Sequence, residues 1–172
     1  AVMISGETAS VKFPLDALQM MLHIVENTEE HLDYDLILRK AEEQRMKSTS
    51  SALSHATVTT ANNLGAKCII APTASGATAR VVSKFKPRTE IIGVTPNEEV
   101  MRRMQIYWGV RPLKSIEFTT TEDVCSGAID LVVAKQIVET GDVVVLTAGI
   151  PSPHFSGQKE GVSNIMRIAV IQ

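Results

Sequence analysis

The residues best suited to chemistry are Thr73-Ala74-Ser75-Gly76-Ala77-Thr78. Three hydroxyls and a glycine stand between an apolar run, Lys67 to Pro72, and a run of helix-forming residues. Backbone N–H groups at a helix start have no partner inside the helix, and the helix dipole favours an anion there. Thr73, Ser75 and Thr78 can add hydroxyl donors to a phosphate, and Gly76 permits close approach. The carboxyl end of a strand is also where open α/β sheets bind ligands. No Lys follows the glycine as a P-loop requires, and the stretch is not GxGxxG. Two readings stay open: a phosphate cradle, or a hydroxyl-capped turn that binds nothing.

The loop Gly149 to Ser163 is the second candidate, because loops this long in a compact domain are functional or merely mobile. His154 and Lys159 can close over an anion; a plain solvated loop is the alternative. Trp108 reads as packing at a helix end. His23, His31 and His55 share no metal-ligand spacing and read as surface or helix-face residues. The acidic run Glu26 to Asp35 reads as a solvated face. A nucleophile triad or a carboxylate pair cannot be argued without geometry.

Elements must hold these residues in place. Pro14 suits the first turn of a helix carrying Leu15, Leu18, Met21, Leu22 and Val25 at amphipathic spacing. Glu26 to Lys47 is charged and reads as a link, interrupted by an apolar patch at Tyr34, Leu36, Ile37 and Leu38. Ser48 to Ser51 offers N-caps for a helix over Ala52–Leu64 that ends at Gly65. Lys67–Pro72 reads as a buried strand and Ala79–Phe85 as a helix. Glu90–Thr95 is a second strand. Asn97 caps a helix running to about Tyr107, before a third strand, Val110–Leu113. Thr121-Glu122-Asp123 starts a helix to Glu139; strands follow at Val143–Leu146 and Ile165–Ile171. This alternation predicts an α/β fold in three layers. No helix separates the last two strands, so the last can pair as an antiparallel hairpin partner.

Composition sets outer limits. Apolar residues make up 44% of the 172 and charged residues 21%, the values of an ordinary globule. A net charge of −2 gives no electrostatic case for nucleic acid or an anionic membrane. No apolar run approaches the roughly 20 residues that span a bilayer. Cys68 and Cys125 read as buried free thiols of a reducing compartment. The opening run Ala1-Val2-Met3-Ile4 reads as a buried strand whose partners are missing, which predicts a piece of a larger protein.

Val2-Met3-Ile4-Ser5-Gly6-Glu7-Thr8-Ala9, then Phe13-Pro14, resembles pyruvate kinase where the eighth strand of its barrel passes into the last helix. Ala71 to Arg80 resembles that family's effector-phosphate loop. Lys86-Pro87, Ile92 to Asn97, Trp108-Gly109-Val110, Gly141 to Leu146, Thr147 to Pro151 and Ser163 to Arg167 match in order. The resemblance is to bacterial members and covers the whole chain. It implies residues 1–30 as a barrel remnant and 31–172 as the C-terminal domain, with a mostly parallel five-stranded sheet whose last strand is antiparallel.

The family transfers phosphate from phosphoenolpyruvate to ADP with Mg²⁺ and K⁺, as a cytosolic homotetramer. Many members bind a phosphorylated sugar or nucleotide in this domain. The resemblance implies Thr73, Ala74, Ser75, Gly76, Ala77 and Thr78 as the effector phosphate site, and His154, Gly157 and Lys159 in the effector loop. Ser5 and Glu7 match a loop on the active-site face. The family's catalytic Lys, metal-binding carboxylates and substrate-binding Arg match nothing here, so the resemblance implies an inactive piece. Two departures stand out. Thr120–Gly127 lacks the Trp and Arg that animal and yeast members set on fructose 1,6-bisphosphate, and Ala74 stands where some members carry Lys. A monophosphate is then the expected ligand, with Arg80, Lys84 and Lys159 as its cations. A purely structural oligomerisation domain is the alternative.

Overall fold

The computed structural model describes residues 2–43, 48–117, 120–149 and 163–172. The chain divides into two units, Ala1–Tyr34 and Asp35–Gln172.

In the first unit, Pro14 opens the helix as its sequence demands. A short helix α1, Gly6–Ala9, precedes α2, Pro14–Glu30. The expected strand at the start does not form. Residues 2–5 lie in no strand, and Val2 and Met3 are 64% and 86% exposed. An apolar tetrapeptide is not a strand by itself. A strand exists through its ladder, and the five strands of the sheet pair only with one another. Leu15, Leu18 and Leu22 of α2 are exposed.

The second unit is built on a five-stranded sheet in the order β3-β2-β1-β4-β5. Its strands are β1 Cys68–Pro72, β2 Glu90–Thr95, β3 Val110–Lys114, β4 Val143–Ala148 and β5 Ile165–Val170. The first four are mutually parallel and β5 runs antiparallel to β4. The predicted architecture is therefore the observed one. Alternate residues explain the layers. Ile69 and Ala71 face a cluster with Val58, Ala61, Ala79, Val82, Val100 and Met104. Cys68 and Ile70 face the opposite cluster, with Cys125, Ala128 and Val132. Buried on both faces, β1 has to be a continuous apolar run.

The first cluster is covered by α4 Thr49–Leu64, α5 Ala77–Ser83 and α6 Glu98–Met104. The second is covered by α7 Thr121–Ala134. Ser48 caps α4 by accepting the Ser51 N–H at 3.2 Å, and Gly65 ends it in the left-handed region. Asn97 caps α6 through the N–H groups of Glu99 and Val100.

Several helix boundaries differ from expectation: α4 starts at Thr49 rather than Ala52, and α5 covers Ala77–Ser83 rather than Ala79–Phe85. The stretch read as a link carries α3, Tyr34–Glu43. Leu38 and Ala41 of α3 pack on the first cluster. The half-buried Tyr34, Ile37, Leu38 and Ala41 fall at helical spacing, a signal hidden among charges. α6 stops at Met104 rather than near Tyr107. α7 is capped by Thr120, one residue early, and ends at Ala134 rather than Glu139. Gln136 takes the left-handed position there, with φ +55°, and the Ile137 N–H reaches back to the Val132 carbonyl. A glycine usually marks such a stop, so glutamine concealed it.

Candidate functional site

The sheet order fixes where a ligand belongs. From β1 the chain steps outward through α5 and α6 to β3, then crosses by α7 to β4 on the other side of β1. Winding therefore reverses between β1 and β4, the place where open α/β sheets form a crevice at their carboxyl ends. Residues 73–76 leave β1 there, and the segment after Ala148 leaves β4 beside it.

The turn after β1 is closed by its own side chain. Thr73 Oγ1 accepts the Gly76 N–H at 2.9 Å, and the Thr73 N–H extends the ladder to Val94. Gly76 sits at φ +82°, where a Cβ would also lie 3.3 Å from Val100 Cγ1 and 3.4 Å from Met104 Cγ. Glycine is required there twice over, by conformation and by space. Ala74 and Ser75 are exposed at the tip. The first helical bond of α5 runs from the Arg80 N–H to the Gly76 carbonyl. The N–H groups of Ala77, Thr78 and Ala79 find no backbone acceptor among the described residues.

Thr78 is buried, and its hydroxyl accepts from Ser163 Oγ at 3.2 Å. The Ser163 N–H donates to Ser50 Oγ at 2.9 Å. One buried serine thus joins the first turns of α4 and α5 to the end of the β4–β5 connection. Thr73 and Thr78 hold the turn in shape. Ser75 is the hydroxyl at the exposed tip.

His154, Gly157 and Lys159 lie outside the described residues. Of the other expected cations, Arg80 is exposed one turn into α5, whereas Lys84 is the C-cap. At 1.5 Å rise per residue, Lys84 stands about 12 Å along the axis from Gly76, so it belongs to the other end of the helix. The cation that does reach the loop is Arg103 of α6. Its Nη2 donates to the Ser75 carbonyl at 3.0 Å. Sequence reading missed it because 28 residues separate the pair.

Ser5 and Glu7 do meet, as a self-capped turn. The Ser5 N–H donates to Glu7 Oε2 at 3.1 Å. Hydrogen bonds from the backbone N–H groups of Glu7 and Ser5 hold the exposed Glu7 carboxyl below its usual range. Among the described residues no three His, Cys, Asp or Glu converge on a metal position.

Both cysteines are buried free thiols, as expected. Trp108 follows α6. It accepts from Ser83 Oγ on its carbonyl at 2.7 Å, and Lys86 Nζ lies 5.1 Å from its ring centre. Among the described residues, no helix is long and apolar enough to cross a membrane.

The family model of the pyruvate kinase alpha/beta domain matches residues 51–169, which take in β1 to β4 and all but the last residue of β5. The chain belongs to the pyruvate kinase family. It is 36% identical over 172 residues to the pyruvate kinase of Clostridium acetobutylicum, covering 100% of this chain and 35% of that protein. Identity to the Geobacillus stearothermophilus pyruvate kinase is also 36%, over 99% of this chain and 28% of the relative. The crystal structure of a pyruvate kinase from Cryptosporidium parvum superposes with a TM-score of 0.83 at 29% identity, covering 99% of this chain and 33% of the other. The chain thus spans about a third or less of each of these pyruvate kinases.

Proposed function

We propose that this chain is the regulatory part of a pyruvate kinase, which moves phosphate from phosphoenolpyruvate to ADP. The catalytic apparatus, with its Mg²⁺ and K⁺, then belongs to the rest of a longer cytoplasmic protein. The 172 residues alone are inactive in this reading, since phosphoryl transfer needs metals and cations placed around the phosphates. α2 presents Leu15, Leu18 and Leu22 towards that catalytic part. The role of the α/β unit is to bind a phosphorylated sugar or nucleotide at Thr73–Thr78. Binding acts by linkage: an effector that prefers one arrangement of the enzyme raises the population of that arrangement.

The observation carrying this reading is the Ser163–Thr78 contact at the winding reversal. It joins the first turn of α5, which follows the turn after β1, to the end of the β4–β5 connection. Ribose 5-phosphate or AMP is expected to bind more tightly than fructose 1,6-bisphosphate, because no Trp or Arg lies in Thr120–Gly127 for a second phosphate.

A second reading is favoured by β5. This edge strand exposes Ile168 and Val170, at 49% and 60%, beside Met166. Unpaired edges with apolar faces attract another strand, and a second copy is the natural occupant in a homotetramer. Calorimetric titration with the three phosphates, run beside sedimentation of the wild type and Ile168→Lys, separates the readings. Saturable heat from a monophosphate supports regulation. Tight binding of fructose 1,6-bisphosphate alone would sink the monophosphate assignment. No heat from any ligand, with a dimer that Ile168→Lys dissociates, would favour assembly alone.

A further inference from the structure

α6 carries two arginines that behave differently. Arg102 pairs with Glu98 one turn back, Nη1 to Oε1 at 2.9 Å, and Glu98 also takes Lys114 at 3.6 Å. Arg103 has the equivalent partner, Glu99, one turn back, a spacing that favours an ion pair on an isolated helix. That pair does not form. Arg103 forms no ion pair among the described residues, and its Nη2 binds the Ser75 carbonyl at 3.0 Å.

This placement has two consequences. A guanidinium has five donors in a fixed fork, so one bond to a carbonyl leaves most of them unused. No carboxylate among the described residues neutralises the positive charge, and it stands at the exposed tip of the turn. The same bond also fixes which way the Ser75 peptide faces. α6 cannot drift, because Val100 and Met104 are buried under the turn at Gly76.

The geometry points to Arg103 as the residue that positions the 73–76 turn and supplies its cation, for a ligand carrying a phosphate monoester. This inference rests on the effector reading above. It replaces the charge that Lys84, at the wrong end of α5, cannot bring. It also predicts selectivity for the dianion over an uncharged sugar, since a fork offered at a carbonyl-anchored angle suits phosphate oxygens.

The test is a titration of the 172-residue chain with ribose 5-phosphate, and with ribose as the uncharged control. Amide shifts of Ala74–Thr78 are followed in the wild type, Arg103→Ala, Arg103→Lys and Arg102→Ala. Arg103→Ala should weaken binding about tenfold, the scale of one charge-assisted hydrogen bond. Arg103→Lys should recover part of this loss, since charge returns without the fork. Arg102→Ala should change binding less than about twofold, because Arg102 is already paired. Exchange of the Gly76 amide should quicken in Arg103→Ala at unchanged melting temperature. Wild-type affinity in Arg103→Ala, or equal losses in the two alanine variants, would overturn the role of Arg103 and leave the effector reading standing. No saturable shift in the wild type would overturn the effector reading, and Arg103 with it.

Discussion

Replacing Gly93 by valine should destabilise the α/β unit by about 3 kcal/mol or more, enough to unfold a protein of ordinary stability under mild denaturant. Gly93 is in the middle of β2, between Ala71 of β1 and Pro112 of β3. Propensity alone predicts the opposite result. Glycine weakens a strand interior, and valine is worth up to about 1 kcal/mol there. Space reverses the sign. A Cβ at Gly93 would stand 2.9 Å from Met104 Sδ, 3.1 Å from its Cε and 3.3 Å from Val110 Cγ1. Methionine is flexible, but Met104 is fully buried. Its Cγ and Sδ already lie 3.4 and 3.8 Å from where a Cβ of Gly76 would be. Moving Met104 away from β2 therefore presses it against the turn after β1.

Gly93→Ala is the milder version, at about 1–2 kcal/mol, since one methyl meets only the end of the thioether. Urea unfolding of the three proteins gives the ranking. Equal stability of wild type and Gly93→Val would show that α6 can lift off β2 freely. The same contacts predict coupling. Gly93→Ala with Met104→Val should cost less than the sum of the single changes, because the smaller side chain vacates the contested space.

The position of Gly93 separates what the sequence discloses from what it hides. Ile91, Ile92 and Val94 announce a buried strand, and their neighbours Lys67–Pro72 and Val143–Leu146 do the same. Such runs are legible because burial on both faces demands apolar residues at every step. Gly65 and Asn97 are legible as stops and starts because each does one local task. Gln136 defeats local reading, since a non-glycine holds the left-handed position by tertiary support. Ala1–Ile4 defeats it differently: being a strand depends on partners, and no residue type encodes them. α3 is hidden because Tyr34, Leu36, Ile37 and Leu38 form a patch in sequence, whereas the face it buries adds Ala41 at helical spacing and leaves Leu36 exposed.

The candidate site divides along the same line. Thr73 to Thr78 could be picked out locally, as strand, small residues and helix. That Thr73 and Thr78 close the turn, while Ser75 stays exposed, follows from contacts no spacing reveals. Ser163 meets Thr78 across 85 residues. Charge is the least legible feature: Lys84 is close in sequence yet at the far end of a helix, and Arg103 is distant in sequence yet at the loop.

The second large effect belongs to Cys68 and appears only in alkali. Its thiol is pushed up to about 12, first by burial, then by the carboxylates of Glu90 and Asp142, against the opposing charges of Lys67 and Arg111. In the unfolded chain the thiol titrates near 8.5. Below that value the thiol is protonated in both states and stability is unaffected. Between about pH 9 and 12 the unfolded chain has lost the proton and the folded one still holds it. The unfolded state then binds fewer protons, so stability falls as pH rises, by up to about 1.4 kcal/mol per pH unit.

Cys125 is shifted the same way, by burial, though Arg167 beside it works against the shift. Its contribution has the same sign. Alkali affects stability through other groups as well, so the decisive quantity is a difference. Urea unfolding of wild type and Cys68→Ala at pH 7, 8, 9, 10 and 11 should show a gap that is constant up to about pH 8. Above it, the alanine variant should lose stability more slowly. The constant part reports lost packing, about 1 kcal/mol for a removed sulfur, and the pH-dependent part reports the thiol. A gap independent of pH up to 11 would mean that Cys68 ionises in the folded sheet, and so that water reaches the centre of β1.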